Sequence, residues 1–357
     1  MNLPELTELL QKLTALPCVT GFEERAASAL DAIVRETTGD FFDGHTQTAG
    51  GTHLYRHTTG KKNAKKLLLD AHLDTVGFVV SELCGNGYVR AIPRGGLDVY
   101  VLPSTPVTLY GKRDVYGVIS SVPPHLKSKD KPAKLSVGDL YIDTGLADGE
   151  LEETVPVGTP VGYERALRAL ANDRVAAKYL DDKACVAAIL LACKELAEEG
   201  YDGNTDVYVC FSAGEEHTGI GAKTLPYTET FDAAIVFDVN FALAPGVKRY
   251  ESLEPGKGAG VSYSATIRRP LTDFIVRTAK ETGIPCQSVV EMRSTGTNAT
   301  QLMKNGIPCA VLSVPLRSMH TDAECASLND IVSCGRLAAA CVRRFETYAG
   351  GDADVLG

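Results

Sequence analysis

The chain has 357 residues, of which 44% are hydrophobic and 23% are charged, and this composition predicts a folded protein with a packed core. Its formal net charge of -9 argues against nucleic acid or an anionic membrane as the main partner, because both attract an excess of Lys and Arg. We expect reduced thiols and a cytoplasmic location, because the ten cysteines form no CxxC pair and the sequence shows neither a secretory signal nor an apolar run that could span a membrane.

The first 75 residues contain two helix signals and one strand signal. Leucines recur at helical spacing from Leu6 to Leu16, and a second helix with one apolar face is predicted after Thr20. The apolar run 67–69 then leads into Asp70-Ala71-His72. A short continuous run of this kind indicates a strand that is buried on both faces of an α/β sheet.

Between Val76 and about Asn172 the pattern changes to short β-type stretches separated by Gly, Pro, Asn and Asp. Closely spaced strands with turn signals predict a small β domain, either a barrel or a sandwich. Within it we interpret His125 as a structural residue and the basic stretch 127–134 as a solvated loop. The polar region that contains His45, His53 and His57 is interpreted as a loop with surface histidines.

Helices and strands alternate again after Ala176, which is typical of a sheet covered by helices on both faces. The sequence therefore predicts an α/β helix–sheet–helix sandwich formed by residues 1–75 and 175–350, with a barrel-like β domain inserted at 76–174. The predicted helices after Ala176 span 182–199, 271–282 and 329–345, and the predicted strands span 206–212, 233–239 and 310–314.

Acidic residues and histidines follow predicted strands, or begin a predicted helix, at five places in the α/β part. Imidazole and carboxylate groups are ligands that zinc, cobalt and manganese prefer, and the lack of cysteine among them disfavours a structural zinc site. An HxD or EE pair alone is common by chance, whereas the ordered set is far more specific. Its members are His72-Leu73-Asp74, Asp181-Asp182, Glu215-Glu216, Asp238 and His320.

Two divalent ions about 3.5–4 Å apart need a bridging carboxylate and terminal ligands on each ion. We predict that Asp181 is the bridge and that His72, Glu216, Asp238 and His320 complete the two sets of ligands. Such ions acidify water and polarise a carbonyl group, so the predicted chemistry is hydrolysis.

Two further residues of the set have predicted roles beside the ions. Glu215 is adjacent to the predicted ligand Glu216, and as the spare carboxylate it is the predicted general acid and base. Asp74 lies two residues after His72 and is predicted to accept the second N–H of that imidazole, which would fix its tautomer.

The order HxD, D, EE, D, H resembles the cocatalytic zinc peptidases. HLDTV alone looks most like metallopeptidase family 20, but the insertion falls between the first two predicted ligands, because Asp181 lies 109 positions after His72. In this respect the chain resembles metallopeptidase family 42, the tetrahedral aminopeptidases, some of which carry the name glucanase. Four stretches are also similar to motifs of that family: Gly95-Gly96, 140–145, 294–299, and Met319-His320-Thr321 with Glu324.

The resemblance implies an aminopeptidase of the cocatalytic zinc peptidase fold with two divalent ions, zinc or cobalt. It places His72 and Asp238 on one ion, Glu216 and His320 on the other, Asp181 between them and Glu215 as general acid and base. It also implies peptide substrates, a homododecameric tetrahedral shell, and a substrate pocket that includes Gly296, Thr297 and Asn298.

Three residues depart from the family pattern. Thr75 and Asn298 stand where the family usually has Glu and Asp, and His217 stands where a small or apolar residue is usual. The change at Asn298 removes a negative charge that is expected near the substrate pocket. His217 is interpreted as a histidine of the core or of the site's rim.

Two other functions stay open at this point. A related amidohydrolase, either a deacylase or a carboxypeptidase, would use the same ligands, and a metal-binding assembly protein would need no catalysis. A glucanase is disfavoured, because glycoside hydrolysis requires an acid and a base carboxylate on either side of a sugar, without a set of metal ligands.

Overall fold

The computed structural model describes residues 1–120, 135–292 and 294–348. The stretch 123–126, which includes His125, and the basic stretch 127–134 lie outside these residues.

The strands divide between a large sheet and a small closed barrel. In chain order they are β1 (Gly44–Gln47), β2 (His53–His57), β3 (Lys65–His72), β4 (Gly77–Gly85), β5 (Tyr88–Arg94), β6 (Pro106–Tyr110), β7 (Asp114–Ser120), β8 (Tyr141–Asp143), β9 (Pro160–Tyr163), β10 (Arg168–Leu170), β11 (Arg174–Ala177), β12 (Thr205–Ser212), β13 (Ala233–Phe241), β14 (Ala259–Tyr263), β15 (Cys286–Val290), β16 (Cys309–Arg317) and β17 (Glu324–Ser327).

The helices of the described residues are α1 (Leu3–Thr14), α2 (Ala27–Thr38), α3 (Asp148–Thr154), α4 (Leu180–Glu198), α5 (Ile220–Thr224), α6 (Arg269–Thr282), α7 (Ala299–Lys304) and α8 (Leu328–Arg344). None of these helices has both the length and the apolar character that crossing a membrane requires.

The large sheet runs in the order β1-β2-β12-β3-β13-β16-β17-β11-β10, and β14 joins β15 to β16 beside this path. Its central strands β12, β3, β13 and β16 are parallel to one another. Their carboxyl ends therefore meet at one edge of the sheet, which is where α/β proteins place their sites.

Helices cover both faces of this sheet, and alternate residues of β3 show how. Leu67 and Leu69 pack in the main core with residues of α1, α2, α4, α6 and α8. Leu68 points to the opposite face and packs with residues of α5 and α7. Because both faces are buried, the strand is a continuous apolar run, as the sequence indicates.

The closed barrel has the strand order β4-β5-β8-β7-β6-β9 and a core of its own, which includes Phe78, Leu109 and Val161. These strands lie in the chain between β3 and β11, both of which belong to the large sheet. The predicted α/β fold with a barrel-like β domain is thus confirmed. The predicted boundaries of the two domains stay a prediction; β10 falls within the predicted insertion but pairs with β11.

The histidine-rich segment differs from its prediction as a surface loop. It forms the antiparallel hairpin of β1 and β2 at the edge of the large sheet, with His45 opposite Tyr55. His53 and Tyr55 point inward from β2, and the side chain of His53 is fully buried. Strands this short and polar lack the apolar alternation by which strands are predicted.

Candidate metal centre and active site

The predicted site residues converge at the carboxyl edge of the parallel strands. His72 ends β3, Asp238 lies near the end of β13, and Glu215 and Glu216 follow β12. His320 follows β16, and Asp181 lies at the start of α4. All six of these side chains line one cavity of about 490 Å³.

Asp181 lies between the two histidines. Its Oδ1 is 3.1 Å from His72 Nε2, and its Oδ2 is 3.3 Å from His320 Nε2. His320 Nε2 is in turn 3.4 Å from Glu216 Oε2, and His72 Nε2 is 4.0 Å from Asp238 Oδ1. Ligand atoms of a tetrahedral ion with bonds of 2.0–2.1 Å are about 3.3 Å apart, so most of these distances match edges of such a coordination shell.

Asp182 is a second acid close to His72 and Asp238, and its carboxylate lies with them within 4.8 Å. It is fully buried and does not line the cavity. Its Oδ2 accepts the main-chain N–H of His72 at 3.3 Å. Asp182 therefore holds the main chain of His72 from outside the cavity, whereas Asp181 faces both histidines.

The electrostatics of the cavity favour a cation. Burial and the charge of Asp181 raise the pKa of Glu216 well above its usual value, and burial and the charge of Asp182 do the same for Asp238. Glu216 Oε1 is also buried and, within the described parts of the chain, has no hydrogen-bond partner. Buried charges of one sign and an unpaired carboxylate oxygen are costly unless a cation or a proton compensates them. Together with the imidazoles, these carboxylates fit divalent ions.

Glu215 lines the same cavity beside these carboxylates. Burial, together with the charges of Asp74 and Asp181, raises the pKa of Glu215 to about 7. The main-chain N–H groups of Glu215 and Glu216 donate to Asp74 Oδ1 at 2.9 Å and Oδ2 at 3.1 Å. The Asp74 carboxylate thereby fixes the turn that carries both glutamates.

His72 is held mainly by the main chain of Asp74. Its Nδ1 lies 2.9 Å from the carbonyl oxygen of Asp74 and 3.6 Å from the carboxylate Oδ1. Burial opposes ionisation of Asp74, but the contacts with His72 and with the N–H of Glu215 lower the pKa of its carboxyl group. Asp74 therefore orients both the imidazole and the glutamate turn.

Two buried glutamates for which no role is predicted also hold the site. Glu324 accepts the main-chain N–H of Asp181 at 2.9 Å and that of His320 at 2.7 Å. Glu23 accepts the N–H of Gly214, directly before Glu215, at 2.9 Å. Glu324 belongs with Met319-His320-Thr321 to the stretch that is similar to a family motif, whereas nothing in the sequence marks Glu23.

The rest of the cavity wall comes from several elements. Gly296 and Thr297 line it, as do Phe241 and Glu291. The barrel domain contributes Gly96, where an added Cβ would lie 3.3 Å from His320 Nδ1. Glycine at this position keeps the barrel loop close to the site.

Asn298, predicted in the substrate pocket with Gly296 and Thr297, does not line the cavity. Its side chain is buried and donates to Asp70 Oδ2 at 3.0 Å and to Ser212 Oγ at 2.7 Å. An amide can donate to the buried Asp70 carboxylate, whereas an ionised Asp at 298 cannot. The negative charge that Asn298 lacks is therefore missing from the buried contacts with Asp70 and Ser212. It is not missing from the cavity wall.

The other two departures also lie off the cavity wall. Thr75 is fully buried, and its main chain bonds with Cys18 and Thr20. His217 is exposed on the turn after Glu216. Neither residue lines the cavity.

Known proteins are similar to this chain over most of its length. A lysyl aminopeptidase of Pyrococcus furiosus is 30% identical over 340 residues, which cover 93% of this chain and 95% of that protein. The structure of a TET aminopeptidase from a marine sediment archaeon of the Thaumarchaeota superposes with a TM-score of 0.89, at 28% identity and over 98% of this chain and 99% of that one.

The TET1 peptidase of Pyrococcus horikoshii, described as assembling into a tetrahedron or a large octahedral shell, superposes with a TM-score of 0.82 at 26% identity, over 94% of this chain and 99% of that one. The family model described as M42 glutamyl aminopeptidase matches residues 52–337. The chain therefore belongs to the M42 glutamyl aminopeptidase family, and it is a metal-dependent enzyme that hydrolyses peptide bonds.

Proposed function

We propose that the chain is an aminopeptidase that uses two divalent ions, zinc or cobalt, with Glu215 as general acid and base. The observation that carries this proposal is the position of Asp181, whose two carboxylate oxygens each face a different histidine. A carboxylate in that position is what a pair of ions needs as a bridge.

The five predicted ligands divide between the two ions by their distances. His72 and Asp238 would hold one ion, Glu216 and His320 the other, and Asp181 both. When bound, such ions acidify water and polarise the carbonyl of the scissile bond. Asp74 and Glu324 would hold the metal ligands in position, because they accept hydrogen bonds from the main-chain N–H groups of those residues.

Glu215 would move the proton. As a carboxylate in the cavity with no other assigned role, it would take a proton from the attacking water and deliver it to the leaving amine. Its partial burial helps, because a carboxyl group with a pKa near neutrality is well matched to both steps.

We further propose that the enzyme prefers a basic residue, Lys or Arg, at the N-terminus of its substrate. Glu291 lines the cavity, and its Oε1 accepts hydrogen bonds from Asn240 Nδ2 at 2.7 Å and Ser262 Oγ at 3.0 Å. Both bonds go to one oxygen, which orients the carboxylate, and among the described residues neither of these donors occupies Oε2. Among the described residues, no Lys or Arg lines the cavity.

The apolar part of the wall fits the same substrate. Phe241 and Met319 line the cavity together with Glu291. A lysine side chain has an apolar stem and a charged end, so it suits an apolar wall with a carboxylate on it. The name of the Pyrococcus furiosus relative, a lysyl aminopeptidase, supports this preference.

A substrate panel tests both proposals. With amides of Lys, Leu, Glu and N-acetyl-Lys, we expect Lys to be cleaved best, Glu worst, and the acetylated amide not at all. Glu291→Gln should lower kcat/KM for Lys about 10- to 100-fold relative to Leu, the effect of losing one hydrogen bond to a charged group. Glu251→Gln, which removes a carboxylate outside the cavity, is the matched control and should keep the wild-type profile.

The outcomes of the panel separate the two proposals. Rapid cleavage of the N-acetyl amide would contradict the assignment as an aminopeptidase and favour a deacylase-type amidohydrolase. An unchanged Lys-to-Leu ratio in Glu291→Gln would contradict only the proposed preference. The homo-oligomeric assembly and the cytoplasmic location stay predictions.

A further inference from the structure

We propose a further metal site, separate from the catalytic cavity, in which Asp31, His45 and His53 bind one divalent transition ion of the zinc class. Asp31 belongs to α2, His45 to β1 and His53 to β2. None of the three lines the catalytic cavity, so the proposal does not depend on the proposed function.

The three ligand atoms have the spacing of a coordination shell. His45 Nε2 is 3.1 Å from His53 Nδ1, and each of these nitrogens is 3.6 Å from Asp31 Oδ1. Ligands on a tetrahedral ion with bonds of 2.0–2.1 Å are about 3.3 Å apart, so the triangle matches one face of such a shell.

His53 is the most deeply buried of the three groups. Its side chain is fully buried, and its Nε2 has no hydrogen-bond partner among the described residues. The polar contacts of the ring are therefore all made by Nδ1, toward His45 and Asp31. A neutral imidazole that carries its proton on Nε2 presents the lone pair of Nδ1 to the other two groups, which is the form that binds a metal ion.

The chemistry of the three groups also suits a cation. Burial disfavours the charged form of His53 and lowers the pKa of its imidazole. Two imidazole nitrogens and one carboxylate oxygen face one another here. Without an ion, these atoms can form hydrogen bonds to one another only by sharing protons. A single divalent ion would instead bind the lone pairs of all three.

Tyr55 holds the ligands in place. Its hydroxyl donates to Asp31 Oδ1, and its ring stacks on His45 with 4.2 Å between ring centroids. The β1–β2 pairing sets His45 opposite Tyr55 and leaves His53 two residues along the same face of β2. The hairpin thus fixes both imidazoles, while the tyrosine orients the carboxylate, as partners of metal ligands commonly do.

The site is also accessible. A cavity of about 300 Å³ reaches it and is lined by Asp31, His45 and Tyr55 among others. This cavity offers a route for the ion and room for water at the remaining coordination position. Two imidazoles with one carboxylate favour zinc, cobalt or nickel over magnesium or calcium. Such an ion would tie α2 to the edge hairpin of the sheet.

The test counts zinc ions bound to the full chain. The chelated wild type and the variants His45→Gln and Asp31→Asn are titrated with Zn²⁺, and bound zinc per chain is measured by elemental analysis after buffer exchange. Each variant should bind one equivalent less than the wild type. His57→Gln is the matched control, because His57 lies on the same strand with its Nδ1 on the carbonyl of Phe41, and it should bind the wild-type number.

A further variant tests whether Tyr55 orients the carboxylate of Asp31. Tyr55→Phe keeps the ring but loses the hydroxyl, and it should weaken zinc binding at this site about 10- to 100-fold. Peptide hydrolysis should be the same in all of these variants, which also shows that they fold. Equal zinc content in the wild type, His45→Gln and Asp31→Asn would overturn the proposal. Failure of the catalytic pair of ions would lower every count alike, so the two failures are distinguishable.

Discussion

Replacing Glu215 with Gln is expected to leave both catalytic ions bound and to lower kcat by about 10²–10⁴-fold, the usual contribution of a general acid and base. Gln has nearly the same shape, and the main-chain N–H at 215 would still donate to Asp74. The neutral amide can neither accept the proton of water nor return it to the amine. The loss should therefore appear in kcat, with little change in metal content.

Glu216→Gln is the matched comparison, because it removes the neighbouring carboxylate that lies 3.4 Å from His320 Nε2. This variant should lose metal as well as activity. Metal content and steady-state hydrolysis of a Lys amide, measured on both variants, separate the two roles. Appreciable turnover by Glu215→Gln would remove that residue from the mechanism.

Asp181→Asn is expected to release both ions, since this carboxylate is the proposed bridge between them. Replacing a residue that only supports a metal ligand commonly weakens metal binding 10- to 100-fold, so loss of the bridge should exceed about 100-fold. Activity should fall to background at zinc concentrations that saturate the wild type. Isothermal titration of the chelated protein with zinc measures this directly.

Asp182→Asn provides the control at the adjoining position. It removes the same charge, but Asp182 is buried away from the cavity and accepts the N–H of His72. Burial raises the pKa of its carboxyl group well above the usual value, and Asn keeps the shape of the side chain, so this variant should keep both ions. If Asp182→Asn lost both ions and Asp181→Asn kept them, the assignment of the bridge would be reversed.

Much of the site could be predicted because its residues sit beside strong local signals. Buried parallel strands are apolar runs, and their carboxyl ends meet at one edge. His72 and Asp238 lie at the ends of such runs, so their convergence follows from the fold class alone. The order of these residues along the chain then indicated the family of peptidases. The residue types by themselves do not specify that family.

The supporting residues could not be predicted in the same way. Glu324 accepts the N–H of Asp181, 143 residues away, and Glu23 accepts that of Gly214, 191 residues away. When a carboxylate binds a main chain so far away in the sequence, no local pattern shows which main chain it binds. Asn298 shows the converse case, since its motif predicts a place in the substrate pocket, whereas its side chain donates to the buried Asp70.

The hairpin of β1 and β2 was not predicted for a different reason. β1 and β2 are short and polar, and His45, His53 and Asp31 meet only when α2 packs beside them. Their spacing of 8 and 14 residues matches no familiar metal motif. Clusters built across an edge strand and a helix depend on tertiary packing, which sequence patterns do not show.

The central claim is that two ions at the Asp181 site drive hydrolysis of peptides with a free N-terminus. The measurement that tests it most directly is Lys-amide hydrolysis during titration of the chelated enzyme with zinc or cobalt. It is run in the His45→Gln background, so that the proposed edge site takes up no metal. We predict no activity without metal and a rise that reaches its plateau at two equivalents per chain. Full activity in the chelated enzyme, or a plateau at one equivalent, would contradict the account.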